Sequence, residues 1–231
     1  MNHEQEFPMS NKMGFSLIEV VIAIGIFLVT VLALVGLLGP TLQSVDEVEK
    51  TDEVSSIVNT VNAFLHNSDA IATGSNFETV FNAVAAGNSA TLFVYQAYRG
   101  DTEAVQLKVG FDENETASPA YADAVKATAS EADLDDAAGT IYRVVLTPSS
   151  VIPLAGTDLG GNSVTYRSSE RNNATDAYTL SVGYANYWEG SFAMEVRIYA
   201  ESPGPTFSYT KTLGVLKDEV PVFTYNTAVV R

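Results

Sequence analysis

One long apolar stretch dominates the pattern of hydrophobic and polar positions, and it runs from residue 15 to residue 38. It reads FSLIEVVIAIGIFLVTVLALVGLL, 24 residues in which Glu19 is the one charged side chain. A helix of this length spans roughly 36 Å, which is enough to cross a bilayer. A cleaved secretory signal would have a shorter apolar region and an A-x-A cleavage site. The pattern therefore predicts a transmembrane helix.

Beyond the apolar run the pattern becomes one-sided. Gly39-Pro40 follows directly, and we expect it to interrupt the helix because proline removes a backbone donor. The next apolar positions recur at the spacing of one helical face. They are Val54, Ile57, Val58, Val61, Phe64 and Leu65. We therefore predict a membrane-spanning helix over 15–39 and an amphipathic helix over 40–70, whose stripe needs a sheet to cover it.

The remainder, residues 71–231, contains segments rich in β-branched and aromatic residues, which favour strands. The predicted strands are Ala90–Tyr98, Val105–Phe111, Thr140–Leu146, Tyr178–Tyr187, Phe192–Tyr199 and Phe207–Leu216. In Phe192–Tyr199 apolar side chains alternate with others, which predicts one buried face. A short helix is predicted around Tyr121–Ala129. The sequence thus predicts an α+β fold with an antiparallel sheet packed on the long helix, in an order that it does not specify.

The composition excludes several classes of partner and chemistry. The chain has 28 acidic and 12 basic residues, a formal net charge of −16, and a chain of this charge repels phosphate backbones. We therefore expect no nucleic-acid partner. Cysteine is absent, which excludes disulfides, thiolate metal sites and cysteine nucleophiles. No cofactor is expected either.

Histidine is scarce, since His3 and His66 are the only two. His66 with Ser68 or Asp69 could be read as a catalytic base, but a lone histidine without a positioned nucleophile is poor evidence for catalysis. Its place near the end of the predicted helix suits a cation at the negative end of the helix dipole. We therefore do not expect an enzyme.

Two acidic segments raise the question of a calcium site, because calcium prefers oxygen ligands. They hold Asp112, Glu113, Asn114 and Glu115, and then Asp133, Asp135 and Asp136. Neither has the spacing of an EF-hand loop, and acidic loops in so acidic a chain are usually solvated. Calcium stays an alternative, and we assign no metal ligand.

Two weaker signals have simple structural interpretations. Gly160-Gly161-Asn162 lacks the lysine of a phosphate-binding loop, so turn chemistry suffices for it. Tyr184, Tyr187 and Trp188 could form a contact patch, although aromatic residues of this kind more often lie half-buried on a sheet.

Glu19 lies within the apolar run, and an ordinary membrane anchor has no need of a carboxylate there. A carboxylate inside a membrane helix costs about 2.5–3.5 kcal/mol even on a lenient insertion scale. It lies four residues into the apolar run, so it could instead snorkel to the membrane interface. Position alone leaves both interpretations open.

Residues 12–19 read KMGFSLIE, and this stretch resembles the prepilin cleavage motif of type IV pilins and type II secretion pseudopilins. The shared features are a basic residue in a polar leader, Gly14 at the cut, Phe15 after it and Glu19 within the apolar run. The resemblance implies that a prepilin peptidase removes residues 1–14 as a leader peptide and methylates the new N-terminus at Phe15. The opening GFSLIEVVIAIGI also resembles pseudopilin-like cassette proteins of Verrucomicrobia.

The resemblance further implies a pilin-like fold and a set of partners: other pilin or pseudopilin subunits, an inner-membrane assembly platform and membrane lipid. It also assigns Glu19 the role of counter-ion in assembly. Physical chemistry points the same way. After cleavage Phe15 carries a cationic amine, which needs a counter-ion once it is buried among apolar helices. Glu19 of a neighbouring subunit is the available carboxylate.

The charges that flank the apolar run predict its orientation. Lys12 precedes the run, and the residues that follow it are mainly acidic: Asp46, Glu47, Glu49, Asp52 and Glu53, opposed by Lys50. The positive-inside rule therefore keeps the N-terminus cytoplasmic. We expect a single-pass protein of the inner membrane with a periplasmic or extracellular head, located in a pilus or pseudopilus once assembled.

These observations predict a structural subunit, a minor pilin or pseudopilin, of a type IV pilus or a type II secretion pseudopilus. The large head and the absence of cysteine favour a minor subunit over a major one. The alternative is a single-pass anchored binding module that does not polymerise. An anchored enzyme is the weakest hypothesis, because nucleophile, base and metal ligands are all lacking.

Overall fold

The computed structural model describes residues 14–67, 71, 74–98, 105–113, 127–158, 160–205 and 207–231, without the side chains of 38–47 and 49. The chain divides between Asp52 and Glu53 into two units. We describe each unit by itself and call the second one, Glu53–Arg231, the head.

The first helix, α1, spans Leu17–His66, so it begins two residues later than predicted and includes the rest of the apolar run and the amphipathic stripe. The predicted interruption at Gly39-Pro40 is wrong as a helix boundary, because α1 contains both residues. A proline removes one helical hydrogen bond, and the turns on either side of it can still continue. The predicted end at residue 70 is too late, because α1 ends at His66 and Asn67 is not helical. Residues 68–70 lie outside the described part of the chain.

Leu17–Leu37 is the part of α1 that is long and apolar enough to span a membrane. It has 21 residues with a mean hydropathy of 3.0, and it is the one such helix among the described residues. Its side chains are exposed throughout. The hydroxyl of Thr30 donates to the carbonyl of Ile26 at 2.8 Å, so this polar group is satisfied without water. An exposed apolar surface of this length is a candidate for contact with lipid or with other apolar helices.

The head contains three further helices and eight strands among its described residues. The helices are α2 (Asn76–Gly87), α3 (Glu131–Asp135) and α4 (Leu213–Leu216), with a 3-10 turn at Tyr184–Asn186. The strands are β1 (Ala90–Tyr98), β2 (Val105–Asp112), β3 (Thr128–Ala129), β4 (Ile141–Pro148), β5 (Ala155–Thr157), β6 (Ser163–Thr165), β7 (Ser191–Glu201) and β8 (Phe223–Val230).

The main sheet has the strand order β3-β2-β1-β4-β7-β8, and β5 and β6 form a separate hairpin. β2 and β3 pair in parallel, whereas the other neighbours in the main sheet are antiparallel. The predicted α+β class and the mostly antiparallel sheet are therefore confirmed.

The core lies between one face of the main sheet and two helices, α2 and the part of α1 in the head. The predicted stripe of α1 is buried at Ile57, Val61, Phe64 and Leu65 and half-buried at Val54 and Val58. The buried face of α2 includes Phe77, Val80, Phe81 and Val84. On β7 the alternating residues Phe192, Met194, Val196 and Ile198 are fully buried. The predicted buried face of β7 is therefore confirmed, but two residues of its other face, Arg197 and Tyr199, are buried as well.

The opposite face of the sheet is covered by the segment between β7 and α4. Arg143 on β4 is completely buried there, and its Nε donates to Glu201 Oε1 at 2.8 Å. Its Nη1 donates to the carbonyl of Tyr209 at 3.1 Å. The guanidinium also lies over the rings of Phe93 and Phe207, at 4.7 and 5.5 Å from their centroids. One buried cation therefore holds this covering segment on the sheet.

The covering segment explains why one predicted strand is wrong. Phe207–Leu216 does not pair with β7, because its aromatic side chains pack on the outer face of the sheet and its end forms α4. The partner of β7 is β8 instead, with Val196 opposite Tyr225.

Two other predictions also change. Tyr178–Tyr187 is not a strand: it contributes one isolated bridge, from Leu180 to Arg167, and the 3-10 turn. Its aromatic residues are used in packing, as when Tyr187 contacts Phe81 with ring centroids 5.1 Å apart. The short helix predicted around Tyr121–Ala129 is wrong at its end, because Thr128–Ala129 forms β3. Residues 121–126 of that prediction lie outside the described part of the chain.

Candidate functional site

The predicted cleavage junction lies immediately before α1. Gly14, Phe15 and Ser16 precede the helix and are exposed. A Cβ added at Gly14 would meet no atom within 4 Å, and the Phe15 side chain is 87% exposed. The peptide bond between them therefore lies outside the helix, and among the described residues none packs against Gly14. The leader residues 1–13 lie outside the described part of the chain.

Ser16 and Glu19 form the start of the helix. The carbonyl of Ser16 accepts from the backbone N–H groups of Glu19 and Val20, at 3.0 and 3.3 Å. In return, the N–H of Ser16 donates to Glu19 Oε2 at 3.2 Å. The side chain thus satisfies one of the donors that a helix N-terminus leaves without an intrahelical partner. This is half of a capping box, in which an acidic residue at the third helical position reaches back to the N-cap amide.

The capping role of Glu19 is a feature that the sequence analysis missed. Its signal is the spacing Ser16-x-x-Glu19 before an apolar run, which is the pattern of a capping box. A carboxylate is also stabilised by the partial positive charge at a helix N-terminus. Glu19 therefore has a structural role within its own chain, and any role in assembly is in addition to it.

A shallow groove runs along the first turns of α1. It has a volume of about 630 Å³ and is lined by Phe15, Glu19, Val20, Ala23, Ile24 and Phe27. The lining is apolar except for Glu19, and Ala23 is its smallest side chain. Phe15 and Glu19 therefore lie on the same face at the start of the helix.

His66, the candidate base, is exposed in the last turn of α1. A cation there is favourable for the helix dipole, as the sequence indicated. Ser68 and Asp69, its suggested partners, lie outside the described residues.

Two of the candidate calcium ligands, Asp133 and Asp135, accept hydrogen bonds from other side chains. Asp133 Oδ2 accepts from the hydroxyl and the N–H of Ser130, at 2.6 and 3.2 Å. The hydrogen bond from the Ser130 hydroxyl is the main reason why the pKa of Asp133 lies below its ordinary value. Asp135 accepts from the hydroxyl of Tyr209, and Asp112 is buried at the end of β2.

Within the described part of the chain, no three His, Asp or Glu side chains converge in a way that could hold a metal ion. Asn114 and Glu115, which belong to the first acidic segment, lie outside it.

The glycine-rich segment forms the turn of the β5–β6 hairpin. Asp158 Oδ1 accepts from the N–H groups of Gly160 and Asn162, at 2.9 and 2.7 Å. Gly161 has a φ of +80°, which glycine adopts without strain. The sequence therefore forms a turn here, as its composition indicated.

The aromatic residues near 184–188 divide between core and surface. Tyr187 is buried, whereas Trp188 is 39% exposed. The guanidinium of Arg231 lies over the rings of Tyr184 and Trp188, 5.1 and 5.8 Å from their centroids. These side chains therefore pack with their own chain, and their predicted place in a strand is wrong.

The head also contains a cluster of charges on β7 that the sequence analysis did not single out. Glu195 Oε1 accepts from Arg197 Nε at 2.8 Å and from Arg171 Nη1 at 3.2 Å. Arg197 Nη2 also donates to Asp176 Oδ2 at 2.9 Å. Burial alone would raise the pKa of the Glu195 carboxyl, but the hydrogen bonds from both arginines outweigh it, and the pKa is lowered. The cluster links β7 to the turn that holds Asp176, so its role is structural.

No protein-family model, no curated protein and no solved structure matches this chain. The evidence for the function of the N-terminal site therefore comes from its own residues. The relevant features are the exposed Gly14–Phe15 junction and the carboxylate of Glu19 at the start of a helix that is apolar enough to span a membrane.

Proposed function

We propose that this chain is a pilin-like subunit, which is cut after Gly14 and assembled through α1 into a membrane-anchored filament. The observation that carries the proposal is the exposed apolar segment Leu17–Leu37, which begins with one carboxylate beside an open Gly14–Phe15 junction. An ordinary anchor requires the apolar length but neither the junction nor the carboxylate.

The charges explain how the subunits would associate. Cleavage places an ammonium group on Phe15, and packing among apolar helices removes it from water. An isolated buried charge is very costly, whereas a pair with good geometry recovers much of that cost. Glu19 of a neighbouring subunit supplies the partner, and the groove that it shares with Phe15 provides the apolar contact. The pair would also fix the axial register between subunits.

The proposal includes a set of partners and a location. A prepilin peptidase cuts after Gly14 and methylates Phe15, and an inner-membrane assembly platform receives the mature chain. The N-terminus is cytoplasmic and the head is periplasmic or extracellular, because basic charge precedes α1 and acidic charge follows the apolar run. We assign the chain to the minor pilins or pseudopilins on the size of its head.

A second candidate function is favoured by one observation. Glu19 already accepts a hydrogen bond from its own Ser16, so a carboxylate at this position does not require a neighbouring subunit. In that case the chain is a single-pass membrane-anchored binding module that keeps its leader and does not polymerise.

Processing in cells distinguishes the two functions. We expect coexpression with a prepilin peptidase to yield a mature chain that begins at Phe15, measured by intact mass. Gly14→Val should block the cut, because a branched side chain at this position obstructs the peptidase, whereas Met13→Leu should leave it unchanged. A chain that keeps Met1 in the presence of an active peptidase, and never enters sheared fibres, would support the anchored module instead.

A further inference from the structure

The two oxygens of the Glu19 carboxylate have different surroundings. Oε2 accepts from the Ser16 N–H at 3.2 Å, and within residues 14–67 this is the one side-chain hydrogen bond that Glu19 makes. Oε1 therefore remains available for a second donor. The arrangement turns the carboxylate back toward the start of the helix, on the same face as Phe15.

We infer that the backbone N–H of Ser16 is a positioning group for assembly, which holds the Glu19 carboxylate ready for the amine of a neighbouring subunit. This inference rests on the proposed function, because it concerns how the same carboxylate is presented. Ser16 acts through Glu19 and does not itself contact the neighbour.

The start of the helix makes such a positioning group effective. The N–H of Ser16 has no carbonyl partner within the helix, and Glu19 satisfies it in place of water. A hydrogen bond to a charged acceptor is also roughly twice as strong as one between neutral groups. Glu19 is thus held in one rotamer before it meets a partner, so less side-chain entropy is lost when the pair forms.

The test in cells is a double-mutant cycle on the full chain, coexpressed with prepilin peptidase. Ser16→Pro removes the N–H donor, and Ser16→Ala keeps it. We expect Ser16→Pro to lower the fraction of chain in sheared fibres about tenfold, which is the lower end for a lost hydrogen bond to a charged group. Ser16→Ala should behave as the wild type.

The cycle is completed by Glu19→Ala, which separates the two claims. If Ser16 acts through Glu19, Ser16→Pro should have no further effect when Glu19 is already alanine. An equal tenfold loss in both backgrounds would mean that the proline disturbs the helix itself, and would overturn the inference while the proposed function stands. Wild-type incorporation of Glu19→Ala would instead overturn the proposed function.

A direct measurement covers the case in which Ser16→Pro blocks cleavage. In the full chain in lipid bicelles, amide exchange at Ser16 should become at least about tenfold faster in Glu19→Ala, because the hydrogen bond is lost. Glu19→Gln should keep the slow exchange, since its carbonyl oxygen still accepts. Unchanged exchange in Glu19→Ala would show that the carboxylate does not hold this N–H, and would overturn the inference.

Discussion

Thr227 on β8 donates a hydrogen bond to Asn62 on α1, with 3.0 Å between Thr227 Oγ1 and Asn62 Oδ1. The hydroxyl of Tyr225, two residues earlier on the same strand, donates to the same oxygen at 3.4 Å. Asn62 follows Val61, which is completely buried. The end of α1 is therefore bound to the last strand of the main sheet by polar contacts as well as by its apolar stripe.

The first prediction is that a fragment covering Glu53–Arg231 folds by itself, because it keeps these contacts and lacks the apolar run. The matched control, Asn67–Arg231, loses Ile57, Val61, Phe64 and Leu65 together. Burial of each such side chain contributes about 1.5–3 kcal/mol, so the control loses about 6–12 kcal/mol. This is comparable with the whole stability of a typical domain, about 5–15 kcal/mol.

Circular dichroism and urea unfolding check this prediction. The longer fragment should show more strand than helix and a cooperative transition, and the shorter one should show no transition. A shorter fragment as stable as the longer one would mean that the stripe of α1 does not hold the head together.

The sequence predicts those strands of the head that are rich in β-branched and aromatic residues. β1 is predicted at its observed bounds, and β4 and β7 within a few residues of theirs. These strands lie in the middle of the sheet, where burial on both faces favours long runs of β-branched and aromatic residues.

The sequence analysis did not predict α2 or β8, although both have sequence features typical of their secondary structure. α2 follows Ser75, its N-cap residue, and has apolar positions at helical spacing. β8 is rich in β-branched and aromatic residues. Phe207–Leu216 has a similar composition, but its aromatics cover the face that holds Arg143. Which of two similar segments pairs with β7 depends on tertiary contacts with a buried arginine, and those cannot be derived from local pattern.

The sequence predicts which residues form the site, but it does not predict how they are hydrogen-bonded. Gly14, Phe15 and Glu19 are all visible in the sequence. The hydrogen bond from Ser16 to Glu19 depends on where the helix begins, because the side chain reaches back to the N-cap amide only from the third helical position. A helix start is rarely fixed by pattern to better than a few residues.

The second prediction concerns the buried ion pair between Arg143 and Glu201. Arg143→Met should destabilise the head by about 3 kcal/mol, because the nearly buried Glu201 then keeps only Lys211 Nζ, at 3.2 Å, as an ionic partner and the hydrogen bond to the Tyr209 carbonyl is also lost. The matched control is Lys108→Met, which breaks an exposed pair with Asp133 at 3.7 Å and should cost less than about 1 kcal/mol.

Urea unfolding of the two variants in the Glu53–Arg231 fragment checks this difference. Equal losses in the two variants would mean that burial does not strengthen the Arg143 pair.

The third prediction is that the head loses stability in acid through Glu195. Hydrogen bonds from Arg171 and Arg197 lower the pKa of this carboxyl below its ordinary value of 4.5 in spite of its burial. The unfolded chain therefore binds a proton before the folded one does. The stability that Glu195 contributes is fully present above the unfolded pKa and is lost as the pH falls through the folded pKa.

The measurement is the free energy of unfolding as a function of pH below about 5. One such group contributes a slope of at most about 1.4 kcal/mol per pH unit. Glu195→Gln should be less stable than the wild type at neutral pH and should show a shallower decline in acid. A variant with the wild-type slope would mean that Glu195 does not carry the acid sensitivity.

The central claim is that Glu19 acts as a charge in assembly and not only as a cap on its own helix. Two variants separate these roles. Glu19→Gln keeps an oxygen that can accept from the Ser16 N–H but has no charge, whereas Glu19→Ala lacks both. Neither change should impair membrane insertion, because each makes the apolar run less charged.

The most direct test is the fraction of mature chain recovered in sheared fibres, at equal cellular abundance, for the wild type and both variants. The proposed pairing with the amine of Phe15 predicts that Glu19→Gln and Glu19→Ala each fall by roughly a hundredfold or more. This is the loss expected when one partner of a buried ion pair is removed. Wild-type incorporation of Glu19→Gln would contradict the account, since it would show that the cap is sufficient and that no counter-ion is needed.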